Sequence, residues 1–106
     1  MQEVTDDTFA DEVLASLVPV MVDFWAPSCG PCDTVEAHLR AIEAARPGAL
    51  RLVKMNVDEN LAVPARYGVL SLPTVILFTA GSVSAAVFGA HSHAHYKRAF
   101  EPFLEG

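Results

Sequence analysis

Val20-Met21-Val22-Asp23-Phe24-Trp25-Ala26-Pro27-Ser28-Cys29-Gly30-Pro31-Cys32 sets out a strand, a tight turn and a helix start in that order. Residues 20–26 are few, rich in strand formers and almost continuously apolar. That is the pattern of a central strand covered on both faces; a half-exposed strand would alternate. Pro27, Ser28 and Gly30 then break the run. Pro31 suits the first turn of a helix, where its absent N–H is not missed. Val35, Leu39 and Ile42 mark one face of a helix predicted over residues 31–45, with Pro47-Gly48 closing it.

Toward the N-terminus, Phe9, Val13 and Leu17 form a helical stripe over residues 8–17. Asp6, Asp7 and Asp11 suit the positive end of its dipole. Toward the C-terminus, residues 50–57 read as a second buried strand interrupted by Lys54, and residues 58–68 as a turn with a short helix. Pro64 fits only near the start of that helix, and Gly68 caps its end. Residues 74–78 are a third strand, and Ala80-Gly81-Ser82 is a hairpin turn into residues 83–88. Tyr96, Phe100, Phe103 and Leu104 give a closing helical stripe that Pro102 should bend or break. Strand–helix–strand alternation followed by a hairpin predicts an α/β three-layer sandwich around a mixed sheet.

The chain has 106 residues, enough for one domain, and no linker or internal repeat divides it. Apolar residues make up 52% of it, which supplies one packed core. No apolar run approaches the roughly 18 residues of a membrane span. Thirteen acidic against seven basic residues give a net charge of −6, which phosphate backbones repel, so nucleic acid is not an expected partner. An acidic N-terminus beginning with Met lacks the basic and apolar regions of a secretory signal, so a cytoplasmic location is expected.

Two cysteines exclude a dense disulfide scaffold, and they stand three apart at the junction of a buried strand and a helix. The first lies where unpaired N–H groups and the helix dipole favour a thiolate, the attacking species in disulfide exchange. The second, one turn in, is more shielded and can resolve a mixed disulfide. Gly30 permits close approach of a partner backbone, and Pro31 stiffens the turn. A half metal site is the alternative, but it needs two further ligands at suitable spacing. Two inert thiols are the other alternative.

Several ordered landmarks make the chain similar to the thioredoxin family over nearly its whole length. They are Val22-Asp23-Phe24-Trp25-Ala26-Pro27, Cys29-Gly30-Pro31-Cys32, Lys54-Met55-Asn56-Val57-Asp58, Tyr67-Gly68-Val69, Leu72-Pro73-Thr74 and Gly89-Ala90. The resemblance implies a thioredoxin fold with sheet order 1-3-2-4-5, residues 2–4 forming the first strand. It implies a protein-disulfide reductase that needs no cofactor beyond the Cys29–Cys32 pair, with Cys29 as nucleophile and Cys32 as resolving thiol. Pro73 matches the family's cis-proline, although sequence physics alone favours an ordinary trans proline. Asp23 matches the buried carboxylate behind the second cysteine. Desolvation there raises its pKa, so that it can exchange the proton of Cys32 through water; a hydrogen-bonded structural aspartate is the other reading. Lys54 matches a lysine approaching that carboxylate, and reads equally as a strand lysine reaching solvent. Trp25, Val69, Leu72 and Ala90 match the apolar rim on which an extended client docks. Implied partners are disulfide-containing client proteins and a thioredoxin reductase, met by a monomer. An oxidase or isomerase, or a non-catalytic binding or folding-assistance module, are the alternatives.

The chain departs from the family at three positions. Ser28 stands where the family usually has Trp, Asp33 where it has a basic residue, and Ala37 where it has a helix proline. Asp33 suits the first helical turn but should disfavour the adjacent thiolate. Both flanking changes bear on docking of a reductase. His91-Ser92-His93-Ala94-His95 has the composition of a metal cluster, but a helix starting near Ser92, a plausible N-cap, need not converge the imidazoles. Glu36, Arg40 and Glu43 read as a solvated helix face.

Overall fold

The structure is a computed structural model that describes residues 1–104. Its strands are β1 (Gln2–Glu3), β2 (Val20–Trp25), β3 (Arg51–Asn56), β4 (Thr74–Thr79) and β5 (Ser82–Phe88). Its α-helices are α1 (Cys32–Ala44), α2 (Ala62–Arg66) and α3 (His93–Phe100). The sheet order is β1-β3-β2-β4-β5, with β2 parallel to β3 and antiparallel to β4. This is the α/β thioredoxin fold that the landmarks imply.

The strand period of two sorts β2 onto two cores. Val20, Val22 and Phe24 join Phe9, Val13, Val53, Met55, Ile76 and Phe78 on one face. Met21 joins Val35, Leu39, Ile42, Leu52, Leu77, Tyr96 and Phe100 on the other, under α1 and α3. Asp23 and Trp25 share the parity of Met21, so Asp23 enters the α1/α3 face as the charged member of an apolar layer. Lys54 shares the parity of Leu52 and meets the same helix.

Three sequence expectations are corrected at the ends of elements. The predicted helix over residues 8–17 is a single π-helical turn, Ala10–Leu14, closed by Ala15 N–H donating to the Ala10 carbonyl at 2.9 Å. Leu17 lies past its end and is fully exposed, while Phe9 and Val13 are buried as expected. The closing helix breaks after Phe100 into a 3-10 turn, Glu101–Phe103, as Pro102 predicts; what is corrected is the stripe, since Phe103 is half exposed although Leu104 still packs on the core. The third correction concerns Asp6. It does not serve the first helical turn but accepts hydrogen bonds from Ala62 N–H (3.0 Å) and Val63 N–H (2.9 Å), capping α2 from a distant part of the chain. Leu61, at the N-cap position, offers no side-chain bond of its own.

The other turn chemistry follows the sequence. Gly68 takes φ +69° just past α2, a conformation that other residues adopt only with strain. Ala80 and Gly81, at φ +51° and +82°, form the two-residue turn of the β4–β5 hairpin.

Because the Asp6 carboxylate satisfies two amides of α2 at once, Asp6→Ala should lower stability by about 1–2 kcal/mol in urea unfolding. Asp6→Asn, which keeps one acceptor oxygen, should lose less. A zero effect of the alanine variant would mean that water serves those amides equally well.

Candidate active site

β2 delivers the chain to residues 26–31, and α1 begins immediately after them. Cys29 N–H donates to the Ala26 carbonyl at 3.0 Å, closing the turn, and Val35 N–H reaches the Pro31 carbonyl at 3.2 Å, starting the helix. Cys29 and Cys32 are joined by a disulfide with a Cα–Cα separation of 5.5 Å. Cys29 is half-buried at the lip of the turn, whereas Cys32 is 4% exposed on the inner face of α1. Gly30, Pro31, Ser28 and Asp33 all face solvent. The outer sulfur is therefore the one that a partner can reach first.

Register brings two further segments to the same edge of the sheet. Phe24 pairs with Thr74, so Pro73 lies at the end of β2 from which the cysteine turn departs. The Leu72–Pro73 peptide bond is cis, as the resemblance implies. Thr74 Oγ1 donates to the Ser71 carbonyl (2.7 Å), fixing the approach to this bond. Gly89 N–H donates to the Pro73 carbonyl (2.8 Å), placing Ala90 beside it, and the buried Tyr96 hydroxyl donates to the Gly89 carbonyl (3.0 Å). Val69 and Leu72 are half-buried against the core, while Ala90 is exposed. Trp25, Leu72, Pro73 and Ala90 thus belong to segments that meet at the disulfide end of the sheet, Pro73 itself being buried, while Val69 packs against the core that holds Phe9 and Phe78.

Beneath the turn, Asp23 is 1% exposed, and its Oδ1 makes no hydrogen bond within the protein. Burial pushes its pKa up from 3.8 to about 7; the like charge of Glu36 pushes the same way and the Lys54 ammonium opposes both. Asp23 and Lys54 are partners in the β2–β3 register. The Lys54 ammonium itself makes two contacts, one with Glu36 Oε1 at 3.4 Å and one over the Trp25 ring, 4.6 Å from its centre.

Glu36 is therefore not part of a solvated face. It lies one helical turn after Cys32, and that spacing is the signal that places it inward. Burial raises its pKa, but bonds to Arg40 and Lys54 more than offset this and hold it below the ordinary range. Glu43 is also engaged, accepting a hydrogen bond from Leu52 N–H at 2.8 Å that ties α1 to β3. The histidine run behaves as a capped helix start. Ser92 Oγ accepts from His95 N–H (3.2 Å), His91 and His95 stack with ring centres 4.0 Å apart, and no three His, Cys, Asp or Glu side chains among the described residues converge as a metal site.

A family model described as Thioredoxin matches residues 1–101. The chain belongs to the thioredoxin family. It is 45% identical over 94 residues to a thioredoxin of Streptomyces clavuligerus, covering 89% of this chain and 87% of that one. It is 48% identical over 88 residues to thioredoxin 1 of a Nostoc species, covering 83% and 82%. It is 41% identical over 101 residues to a chloroplastic M-type thioredoxin of Chlamydomonas reinhardtii, covering 95% and 72%. With a disulfide at the junction of β2 and α1, this thioredoxin-family chain is a thiol–disulfide oxidoreductase. A non-catalytic binding module is not favoured. Like others of its family it acts on disulfide substrates, and no helix among the described residues is long and apolar enough to cross a membrane.

The raised pKa of Asp23 makes a stability prediction. The folded protein holds this proton more tightly than the unfolded chain, so the penalty is absent below about pH 4. It grows as pH rises from there and is nearly complete near pH 7. The full effect is on the order of 4 kcal/mol. In denaturant titrations, Asp23→Ala should gain roughly 4 kcal/mol relative to the parent protein between pH 4 and pH 8. Any cavity cost of the substitution is the same at both pH values and cancels. A difference that stays flat with pH would show that Asp23 titrates normally.

Proposed function

We propose that this chain is a dithiol reductant of protein disulfides, acting as a monomer in the cytoplasm and formed by a single thioredoxin-like domain over residues 1–106 with no separate cofactor. The observation that carries this reading is the asymmetry of the pair: Cys29 at the lip, Cys32 buried, with an unpaired buried carboxylate on the same face of the sheet.

In this reading the Cys29 thiolate attacks one sulfur of a client disulfide. The client S–S bond breaks, one client thiolate leaves, and a mixed disulfide forms. The extended client backbone lies along Trp25, Gly30, Pro31, Val69, Leu72, Pro73 and Ala90. Asp23 then takes the Cys32 proton through a water. The Cys32 thiolate attacks Cys29 Sγ, the second client thiolate leaves, and the Cys29–Cys32 bond closes. Two electrons have passed to the client. A thioredoxin reductase returns them. Lys54 tunes the charge of Asp23. A pKa near neutrality suits this task, since a base is most useful when its midpoint lies near the working pH.

The reduction potential of the pair, followed by Trp25 fluorescence in thiol redox buffers, should fall near the about −270 mV of cytosolic thioredoxins. A value of roughly −180 to −120 mV would instead assign an isomerase or oxidase role. Cys29→Ser should abolish exchange, and Cys32→Ser should accumulate a trapped mixed disulfide with a model client; loss of both signals in the second variant would reverse the order of the two sulfurs.

Ser28 and Asp33 bear on the reductase, because both are exposed beside the disulfide. Ser28→Trp combined with Asp33→Lys should raise kcat/KM for reduction of this protein by a bacterial thioredoxin reductase about tenfold or more, an effect the size of one lost apolar contact and one charge reversal. An unchanged kcat/KM would place the limiting contacts elsewhere.

A further inference from the structure

Asp23 and Lys54 are direct neighbours across the β2–β3 pair. A buried carboxylate without a partner is costly, and a lysine stem beside it is long enough to bring it a counter-ion. The ammonium goes elsewhere. It sits 3.4 Å from Glu36 Oε1 and 4.6 Å from the centre of the Trp25 ring, while Asp23 Oδ1 is buried without a hydrogen bond. Glu36 is itself fixed from its other side, since Arg40 Nε donates to Oε2 at 3.2 Å one turn further along α1. Both oxygens of Glu36 are thus engaged by cations, and the row Arg40–Glu36–Lys54–Trp25 runs past Asp23.

We propose that Glu36 is a positioning residue for disulfide exchange: its carboxylate draws the Lys54 ammonium onto Trp25 and off Asp23, leaving Asp23 free to accept the Cys32 proton. The inference rests on the reading of Asp23 as that acceptor. The groups that face Asp23 are few. α1 contributes Glu36, which Arg40 in turn pairs with. β3 contributes Lys54. α3 contributes Tyr96, whose hydroxyl pKa is raised first by burial and further by the Asp23 charge. β4 contributes Val75, opposite Asp23 in register and uncharged. Of these, Lys54 is the cation able to neutralise Asp23, so whatever holds Lys54 governs when Asp23 carries charge. Glu36 acts twice in the same direction, by holding the ammonium out of contact with Asp23, where its charge still acts at a distance, and by adding its own negative charge. The second contact of Lys54, the Trp25 ring face, favours the same placement.

The test is a double-mutant cycle read on Asp23 itself. The Asp23 carboxyl carbon is titrated by NMR in the oxidised protein, where neither cysteine titrates. The four forms are the parent, Glu36→Gln, Lys54→Gln and the combination. Glu36→Gln should lower the Asp23 midpoint by about one pH unit as the freed ammonium swings across. Lys54→Gln should raise that midpoint more in the Glu36→Gln background than in the parent. Equal effects of Lys54→Gln in the two backgrounds would overturn the inference, because Lys54 would then occupy the same place with or without Glu36. The pH dependence of client reduction separates this outcome from failure of the underlying reading. A rate profile that moves with the Asp23 midpoint supports both. A profile that stays put while the midpoint moves removes Asp23 from the proton path and takes the inference down with it. A midpoint unmoved by Glu36→Gln sinks the inference about Glu36 alone.

Discussion

The burial of β2 between β3 and β4 is the constraint from which the rest of the molecule follows. A strand paired on both edges and covered on both faces has no freedom to slip, because a one-residue shift would exchange Val20, Val22 and Phe24 for Met21, Asp23 and Trp25 across the sheet. That fixed register puts the end of the strand, and hence the Cys29–Cys32 turn, against the head of α1. It also puts Asp23 directly beside Lys54 and opposite Val75. The turn is thus positioned by a strand buried on both faces and both edges, while Cys29 remains at the surface.

The same burial creates a conflict between stability and chemistry. An apolar residue in place of Asp23 would continue the layer formed by Met21, Val35 and Leu39, and nothing in the packing calls for a carboxylate there. What the carboxylate provides is a group whose charge changes near neutral pH, which is what the proton transfer proposed for Asp23 calls for. The neighbouring ions pair with one another and not with Asp23. Glu36 and Arg40 on α1 and Lys54 on β3 satisfy one another at 3.2–3.4 Å, and Asp23 is left outside their pairing. A direct ion pair between Asp23 and Lys54 would instead favour the ionised carboxylate.

Much of this was legible before the structure, and the parts that were not have physical reasons. Buried strands announce themselves through continuous apolar runs, and the cysteine turn through its spacing, so the order of elements and the positions of Cys29 and Cys32 could be read directly. The sheet order and the docking segments around Val69, Pro73 and Ala90 came only through the family landmarks, because no local pattern tells which distant segments share an edge. The helix expected over residues 8–17 came out short, since apolar residues every four positions do not distinguish an α-helix from one wider π turn followed by a bend. Asp6 was assigned to the nearest helix, although its hydrogen-bond partners lie more than fifty residues away. Glu36 was grouped with solvated charges, yet its position one turn from Cys32 already marked it as bordering the buried face.

Two hydrogen bonds described at the disulfide end have a bearing on recognition. The Tyr96 hydroxyl holds the Gly89 carbonyl, and the Gly89 amide holds the Pro73 carbonyl, so the rim proposed for docking is fastened through β5 to the core side of α3. A rim fastened in this way is ordered before any client arrives. The conformational entropy lost on association then falls almost wholly on the client strand. Clients whose disulfide-bearing segment is already extended, or locally unfolded, would be selected over those that must be straightened, and discrimination among disulfides would follow the client's own flexibility as much as its side chains.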